Sequence, residues 1–553
     1  VRRAVPWRNQ KGETSMTDST QVDRFTGRHR ATLTRQELFR VAAALGVAGA
    51  GLGLTACGSS SSSGTSAASA AGAIRRGGTL KLAVTDASSA EKLDPAVQTV
   101  TNDALYCSQI YECLTRSDES WQVTPLLAEK WEANADLTEW TLTLRPGVVF
   151  HDGSPLTSKD VVWSLQRILD PDLGSALYSR FAESVDKDGV QAPDDQTVVL
   201  KLKRPDALMP LALSERQAKI VKDGTSDFTV STAIGTGPFK VKSWTPGQSW
   251  SLVKNDAYWE KGLPYLDGIQ AVIIGEQATK VQSVVSGSND LGDPIDPSTA
   301  SSVTSSSTAS LLSADNSYYL ELAMDQTQKP FDDLRVVQAV KLVQDRAQLV
   351  QTVVQGFGES TGDTPAPPSD PYYPADLGVP ERNIEEAKRL LAEAGYPDGI
   401  ELELFTAPAY GGMVDLAVAF QQQAKDAGIT VKLNQWPAAT YWSEVWLVKP
   451  FYAVYWNRRH PGQAASITFA SNAPWNQNKL ADPELDALIS EGLATADEAR
   501  ESEIYPQLLK RIADEHGSAI PVFGHKLWVR RNNVNGVETD LTNYLFFRKT
   551  WLS

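Results

Sequence analysis

Trp140-Thr141-Leu142-Thr143-Leu144-Arg145-Pro146-Gly147-Val148-Val149-Phe150-His151-Asp152-Gly153 sets the pattern for the 553-residue chain. Large apolar residues alternate with threonine from Trp140 to Leu144, the period of two that puts one face of a strand on a core and the other toward water. Arg145-Pro146-Gly147 ends the strand, because proline fixes φ and glycine takes the turn geometry that side chains resist. His151-Asp152-Gly153 reads as a second turn, with Gly153 free to adopt positive φ and Asp152 able to bond its own backbone. A helix opened by Thr157 or Ser158 and carrying Val161, Leu165 and Ile168 on one face follows. The unit is mixed α/β.

The same alternation marks strands at Gly78 to Val84, Thr197 to Leu202 and Ser249 to Val253. Farther along, Asn383 and Glu386 have the spacing of a capping box, Ile384, Ala387, Leu390, Leu391 and Ala394 share one helical face, and Gly395 supplies the left-handed stop. A second helix is expected from about Met413 to Ala427, ended by Gly428, with Ile429 to Leu433 alternating as a strand. Helix then strand, repeated, predicts βαβ packing and a partly parallel sheet in this half. Ser298 to Ser310 looks like a linker by composition, yet Val303, Leu311 and Leu312 favour a folded surface helix or loop.

The N-terminus carries a different message. Arg24, Arg28, Arg30, Arg35 and Arg40 form a basic region, and Val41 to Leu54 is an uncharged apolar run of fourteen residues. A permanent helical span needs roughly 20, so the run reads as a signal segment. It ends in Leu54-Thr55-Ala56-Cys57, a lipoprotein processing site that predicts cleavage before Cys57 and lipidation of its thiol; two or more acyl chains anchor stably where one does not. Met16 lies closer to the basic region than Val1 does, so residues 1–15 are read as a misassigned start. Thr34-Arg35-Gln36-Glu37-Leu38-Phe39-Arg40 resembles a twin-arginine signal with Gln36 in place of the second arginine, leaving both export routes open. Residues 57–77 are rich in Ser, Ala and Gly and read as a flexible tether, because such a composition buries too little apolar surface to offset its ordering entropy.

Residues 1–56 hold nine of the 52 Lys and Arg and four of the 67 Asp and Glu, leaving 43 basic against 63 acidic residues, a net charge of −20. That surface excludes nucleic acid as a partner. Nearly 500 mature residues call for two or three lobes. Besides Cys57 there are Cys107 and Cys113, and two buried free thiols are expected, since on one helix their Cα atoms stand about 9 Å apart. No metal-ligand spacing occurs among the five histidines, and no cofactor is expected.

Several stretches, in order and at matching spacing, resemble the family 5 extracytoplasmic solute-binding proteins of ABC importers. They include Leu93-Asp94-Pro95, Ile110-Tyr111-Glu112-Cys113-Leu114-Thr115-Arg116, Leu144 to Gly153, Lys159-Asp160-Val161-Val162-Trp163-Ser164-Leu165, Gly235-Thr236-Gly237-Pro238-Phe239, Asn255-Asp256-Ala257-Tyr258-Trp259 and Pro330-Phe331-Asp332-Asp333-Leu334-Arg335. The resemblance implies a two-lobe clamp of the periplasmic-binding-protein type with a subdomain inserted in the first lobe. The expected division is lobe I at 78–100, 232–318 and 519–553, the inserted subdomain at 101–231, and lobe II at 319–518. It also implies a monomeric receptor outside the cell, held to the membrane by its lipid, that captures a peptide or small solute and hands it to an ABC permease without doing chemistry. A nickel or haem receptor of the same fold and an exported hydrolase are the alternatives.

Five of the fifteen tryptophans, Trp436, Trp442, Trp446, Trp456 and Trp475, fall within forty residues. Such density serves either a core or an aromatic ligand cavity. The resemblance places Trp456 in the site, and three residues later, where peptide-binding members carry an aspartate for the peptide ammonium, this chain has Arg459. The local run Tyr455-Trp456-Asn457-Arg458-Arg459-His460 is basic, and a guanidinium fork suits carboxylate or phosphate. Tyr455, Trp456, Arg458, Arg459, Trp475, Asn476, Gln98, Thr99 and Val100 are therefore the candidate ligand residues, with an anionic group expected on the ligand.

Overall fold

The computed structural model describes residues 74–553 except 86–89, 99, 119 and 540–543. The signal segment, Cys57 and most of the tether lie outside the described residues, as does Thr99.

The opening stretch folds as read. Strand Glu139–Leu144 alternates between partly exposed and buried positions and sits in a four-stranded antiparallel sheet with Ala128–Ala133, Thr197–Leu202 and Val185–Asp194. Gly147 and Gly153 adopt φ of 76° and 85° in the two turns. Helix Ser158–Ile168 starts where Asp160 accepts the Thr157 amide at 2.7 Å, and lays Val161, Leu165 and Ile168 on the sheet. Trp140, Leu142, Leu144, Phe181 and Val198 complete a core drawn from residues 96–220.

A sheet of eleven strands forms the frame. Two long antiparallel strands, Ala309–Met324 and Ser518–Arg531, pair along its middle. On one side follow Leu291–Ile295, Thr79–Val84, Gly268–Ile273, Ser249–Lys254 and Phe239–Thr245; on the other follow Phe451–Asn457, Ile400–Thr406 and Ile429–Gln435. The outer pair Ile400–Thr406 and Ile429–Gln435 is parallel and is crossed by helix Met413–Ala424, the βαβ unit expected from the sequence. Gly428 takes φ of 78° where that unit turns back into its second strand.

Each half of the sheet has its own core. Leu80, Tyr106, Trp250, Ile269 and Trp528 belong to one cluster, and Leu322, Val340, Leu404, Phe420 and Val454 to another that draws on residues 318–523. The long central strands run from one core to the other. Their pairing slips between Ala314 and Tyr318, and Asn316 takes φ of 52° there, so a bulge bends the strand pair where the halves meet.

Three details refine the sequence reading. Asn383 caps helix Ile384–Glu393 by accepting the Glu386 amide, but the Glu386 carboxylate turns outward to Arg389 and does not close the box. Cys107 lies on helix Thr101–Ile110 and Cys113 beyond its end; both are free and buried. The serine-rich stretch folds as helix Ala300–Thr304 and the start of the first long strand, with Val303 fully buried.

Candidate ligand-binding site

Where the strand pair bends, the two halves enclose a cavity of about 540 Å³. Its floor is Tyr318 and the His525-Lys526-Leu527 stretch of the long strands. One wall is Asp293 to Pro297, which continues strand Leu291–Ile295; the facing wall is Ala409-Tyr410-Gly411, in the loop after strand Ile400–Thr406, together with Tyr455. Arg216 and Tyr544 close the top beside Val100 and Thr101 at the start of helix Thr101–Ile110.

The aromatic wall is rigid by construction. Tyr410 stacks on Tyr455 with ring centroids 3.6 Å apart and planes 7° from parallel, and meets Tyr318 edge-on at 5.0 Å. Tyr318 packs so tightly on the neighbouring strand that a Cβ on Gly524 would stand 2.3 Å from its ring, which is why glycine occupies that position. Burial and the Asp296 charge hold the Tyr318 phenol well above its ordinary range, so it meets a ligand as a neutral hydroxyl.

The polar wall carries both signs of charge. Asp293 is bound by Lys280, fully buried behind it, and by the Thr85 amide and hydroxyl at 2.7 and 3.0 Å. Asp296 is exposed on the same wall. Opposite stand Arg216, whose guanidinium bonds the Tyr544 hydroxyl, and Lys526, whose ammonium sits 5.8 Å from the Tyr544 ring. His525 lies 3.1 Å from Asp315.

Tyr455 and Trp456 are adjacent on strand Phe451–Asn457, and the period of two sends them to opposite faces. Tyr455 faces the large cavity. Trp456 is fully buried among Trp446 and Trp475, with centroids 6.1 and 5.6 Å away. Trp475 and Arg459 instead line a separate chamber of about 40 Å³ with Glu215 and Gln463, which bond each other at 3.0 Å. Arg459 is 3% exposed, donates to the Asn457 carbonyl and lies 5.7 Å from the Trp456 ring.

Arg458 reaches neither chamber. It forms a buried ion pair with Asp370 and lies 4.8 Å over the Trp121 ring, whose Nε1 also donates to Asp370. Asn476 is occupied with its own loop, bonding the carbonyls of Ala470 and Leu480 and the Lys479 amide. Gln98 is buried against the Arg216 carbonyl, while Val100 does line the cavity. His460, the one histidine near the basic run, sits edge-on to Trp121, Tyr372 and Tyr505 and accepts the Gly462 amide. Among the described residues, no group of three or more His, Cys, Asp or Glu could hold a metal ion.

Residues 122–477 match the model of the bacterial extracellular solute-binding proteins, family 5 Middle. The chain belongs to that family. The oligopeptide-binding protein AppA of Bacillus subtilis (strain 168) is 28% identical over 550 residues, covering 90% of this chain and 96% of the relative. The glutathione-binding protein GsiB of Pectobacterium atrosepticum is 25% identical over 438 residues, covering 74% and 83%. Among solved structures, the binding protein AgaA in complex with agropinic acid, from A. tumefacien R10, superposes with a TM-score of 0.70 at 25% identity, covering 86% of this chain and 99% of its own. AppA from Bacillus subtilis in complex with a nonapeptide superposes at 0.70 and 23%, covering 87% and 100%.

The fold is therefore the two-lobe clamp, with the central strand pair joining the lobes and the large cavity between them. The protein is an extracytoplasmic receptor that delivers a solute to an ABC permease and is not an enzyme. Among the described residues, no helix is long and apolar enough to cross a membrane.

Proposed function

We propose that this family member is a lipid-anchored receptor for a peptide or a peptide-like conjugate bearing an anionic group. The observation that carries the reading is the 540 Å³ cavity, in which Arg216 and Lys526 oppose Asp296 beside the stacked tyrosines. A cavity of that size takes one small extended solute. A carboxylate is matched by the guanidinium and ammonium, and an ammonium by Asp296. Tyr455 and Val100 are the ligand contacts from the sequence reading that this cavity supports; Arg459 and Trp475 supply a second anchoring place in the smaller chamber. The names of the peptide, glutathione and agropinic acid receptors agree with the class.

The lobe boundaries given above belong to the same proposal. The cores follow them in outline: one cluster falls within residues 96–220, one within 318–523, and a third combines 80–111 with 221–314 and 528–547, so Leu105 to Tyr111 pack with lobe I and Ala519 to Phe523 with lobe II.

Native mass spectrometry of the purified mature protein tests the ligand class. A co-purified peptide or acidic conjugate is expected; a metal porphyrin or a nickel complex would overturn the reading. Radiolabelled palmitate should enter the wild-type chain and not Cys57→Ser, and a wild type without label would remove the anchor.

A further inference from the structure

Asn457 ends strand Phe451–Asn457 with a carboxamide that the fold leaves unused. The residue is 2% exposed, and among the described residues neither its Oδ1 nor its Nδ2 has a hydrogen-bond partner. Its backbone carbonyl, by contrast, accepts from Arg459. Buried polar side chains in folded proteins are bonded in the large majority, and an amide with both polar atoms unmet costs stability. A position with no use for those atoms is better filled by an apolar residue of the same size.

The strand register shows where the amide stands. Asn457 is the direct partner of Tyr318 across the central strands, and directly opposed residues leave a sheet on the same face. Tyr455, two positions back, leaves on that face as well. Tyr318 and Tyr455 both line the large cavity, so the Asn457 side chain emerges beside them at its floor. On the opposite wall Gln277 opens helix Gln277–Val285, which Lys280 ties to Asp293 and to the Pro294 carbonyl. Gln277 lines the cavity, and its Oε1 is likewise buried without a bond among the described residues.

The chemistry of a carboxamide selects its partner. It offers donors on one side and an acceptor on the other. In an extended chain the N–H and C=O of one residue point the same way, which is how antiparallel partners exchange two bonds. Such a residue meets both sides of the Asn457 amide at once. A carboxylate supplies acceptors alone and an ammonium donors alone, so each leaves half of the amide unmet. We propose that Asn457 grips the main chain of an extended peptide-type solute: Nδ2 donates to the C=O, and Oδ1 accepts from the N–H, of one solute residue. Gln277 Oε1 accepts a second N–H from the opposite wall. Asn457 in this role rests on the peptide reading above and narrows it, since the charged groups of the cavity hold the solute's ends while Asn457 reads the backbone between them.

The probe is the tightest binder from a library of tri- to pentapeptides, each containing one glutamate. Asn457→Leu should weaken it about 10- to 100-fold by calorimetry, the loss of two buried hydrogen bonds. The solute-free Tm should hold or rise, because an unbonded amide has given way to an apolar group. Unchanged affinity overturns the proposal, and so does lost affinity accompanied by a lower solute-free Tm, which makes Asn457 a structural residue. The crystal structure of wild type with the same peptide decides without the variant. Both carboxamide atoms should lie within about 3.2 Å of the N–H and C=O of one peptide residue, and a carboxamide bonded to water or protein instead overturns the proposal. If no peptide of the library binds wild type, the peptide reading falls and the proposal with it; a peptide that binds and ignores Asn457 removes the proposal alone.

Discussion

Tyr410 and Tyr455 lie face to face, ring centroids 3.6 Å apart, although one comes from the loop after strand Ile400–Thr406 and the other from the neighbouring strand Phe451–Asn457. Together they form the flat side of the ligand cavity. Removing one ring opens that wall to water. Tyr455→Ala should weaken solute binding by about 10- to 100-fold, about 1.4 to 2.8 kcal/mol, while Tyr455→Phe should stay near wild type because stacking needs the ring and not the hydroxyl. Isothermal calorimetry with the co-purified solute decides it, and an alanine variant that binds as wild type would remove the stacked pair from the site.

The Arg458 and Asp370 pair makes a different prediction. Both side chains are buried, and Trp121 covers the guanidinium while also bonding Asp370. Trp121 lies just before strand Val123–Pro125 and packs in one core cluster with residues 465–512, so the triad ties three distant segments of the chain together. Asp370→Asn leaves a buried cation alone and should lower stability by about 3–5 kcal/mol. Chemical denaturation measures it. A loss below 1 kcal/mol would show the pair to be solvated.

What the sequence made legible and what it did not divide along physical lines. Period-two runs such as Trp140 to Leu144 and glycine stops such as Gly428 are local, so strands, turns and the βαβ unit could be read directly. The cavity is not local. Arg216, Asp296, Tyr410 and Tyr544 converge from four distant segments, and no spacing links them. Even within the stretch identified as the site, the phase of one strand decided which ring faced the cavity: the family resemblance singled out Trp456, but Tyr455 lines the large cavity. Arg458 and Arg459 looked alike in sequence and are separated by Asp370, a partner 88 residues away. The one available signal for Tyr410 was the Pro408 and Gly411-Gly412 punctuation, which marks a loop that could carry a contact residue.

Gly524 tests the hinge floor. A methyl group there would press on the Tyr318 ring, whose Cζ stands 2.3 Å from the Cβ position. Gly524→Ala should therefore displace Tyr318 into the cavity and weaken solute binding by about tenfold, with overpacking costing about 1–3 kcal/mol of stability. Gly524→Ala combined with Tyr318→Ala should regain most of the stability, because the clash is between those two groups. Thermal melts of the single and double variants decide it, and additive losses would show that the strain lies elsewhere.

Glu321 predicts how stability responds to pH. It lies on the first long strand, wholly buried, and receives hydrogen bonds from Ser518 and from Gln477 at 3.0 Å. Burial outweighs those bonds and the Lys341 charge, and pushes its carboxyl up to about 7. The folded protein therefore holds a proton between about pH 4.5 and pH 7 that the unfolded chain releases, so stability falls as pH rises through that window. Below it both states are protonated, and above it the full penalty remains. Glu321→Gln keeps the shape, with its carbonyl facing Gln477 and its amide facing the Ser518 hydroxyl, but has no proton to lose. The variant should gain on wild type by on the order of 3 kcal/mol between pH 4.5 and pH 8. Urea denaturation across that range, with parallel pH slopes for the two proteins, would refute the assignment.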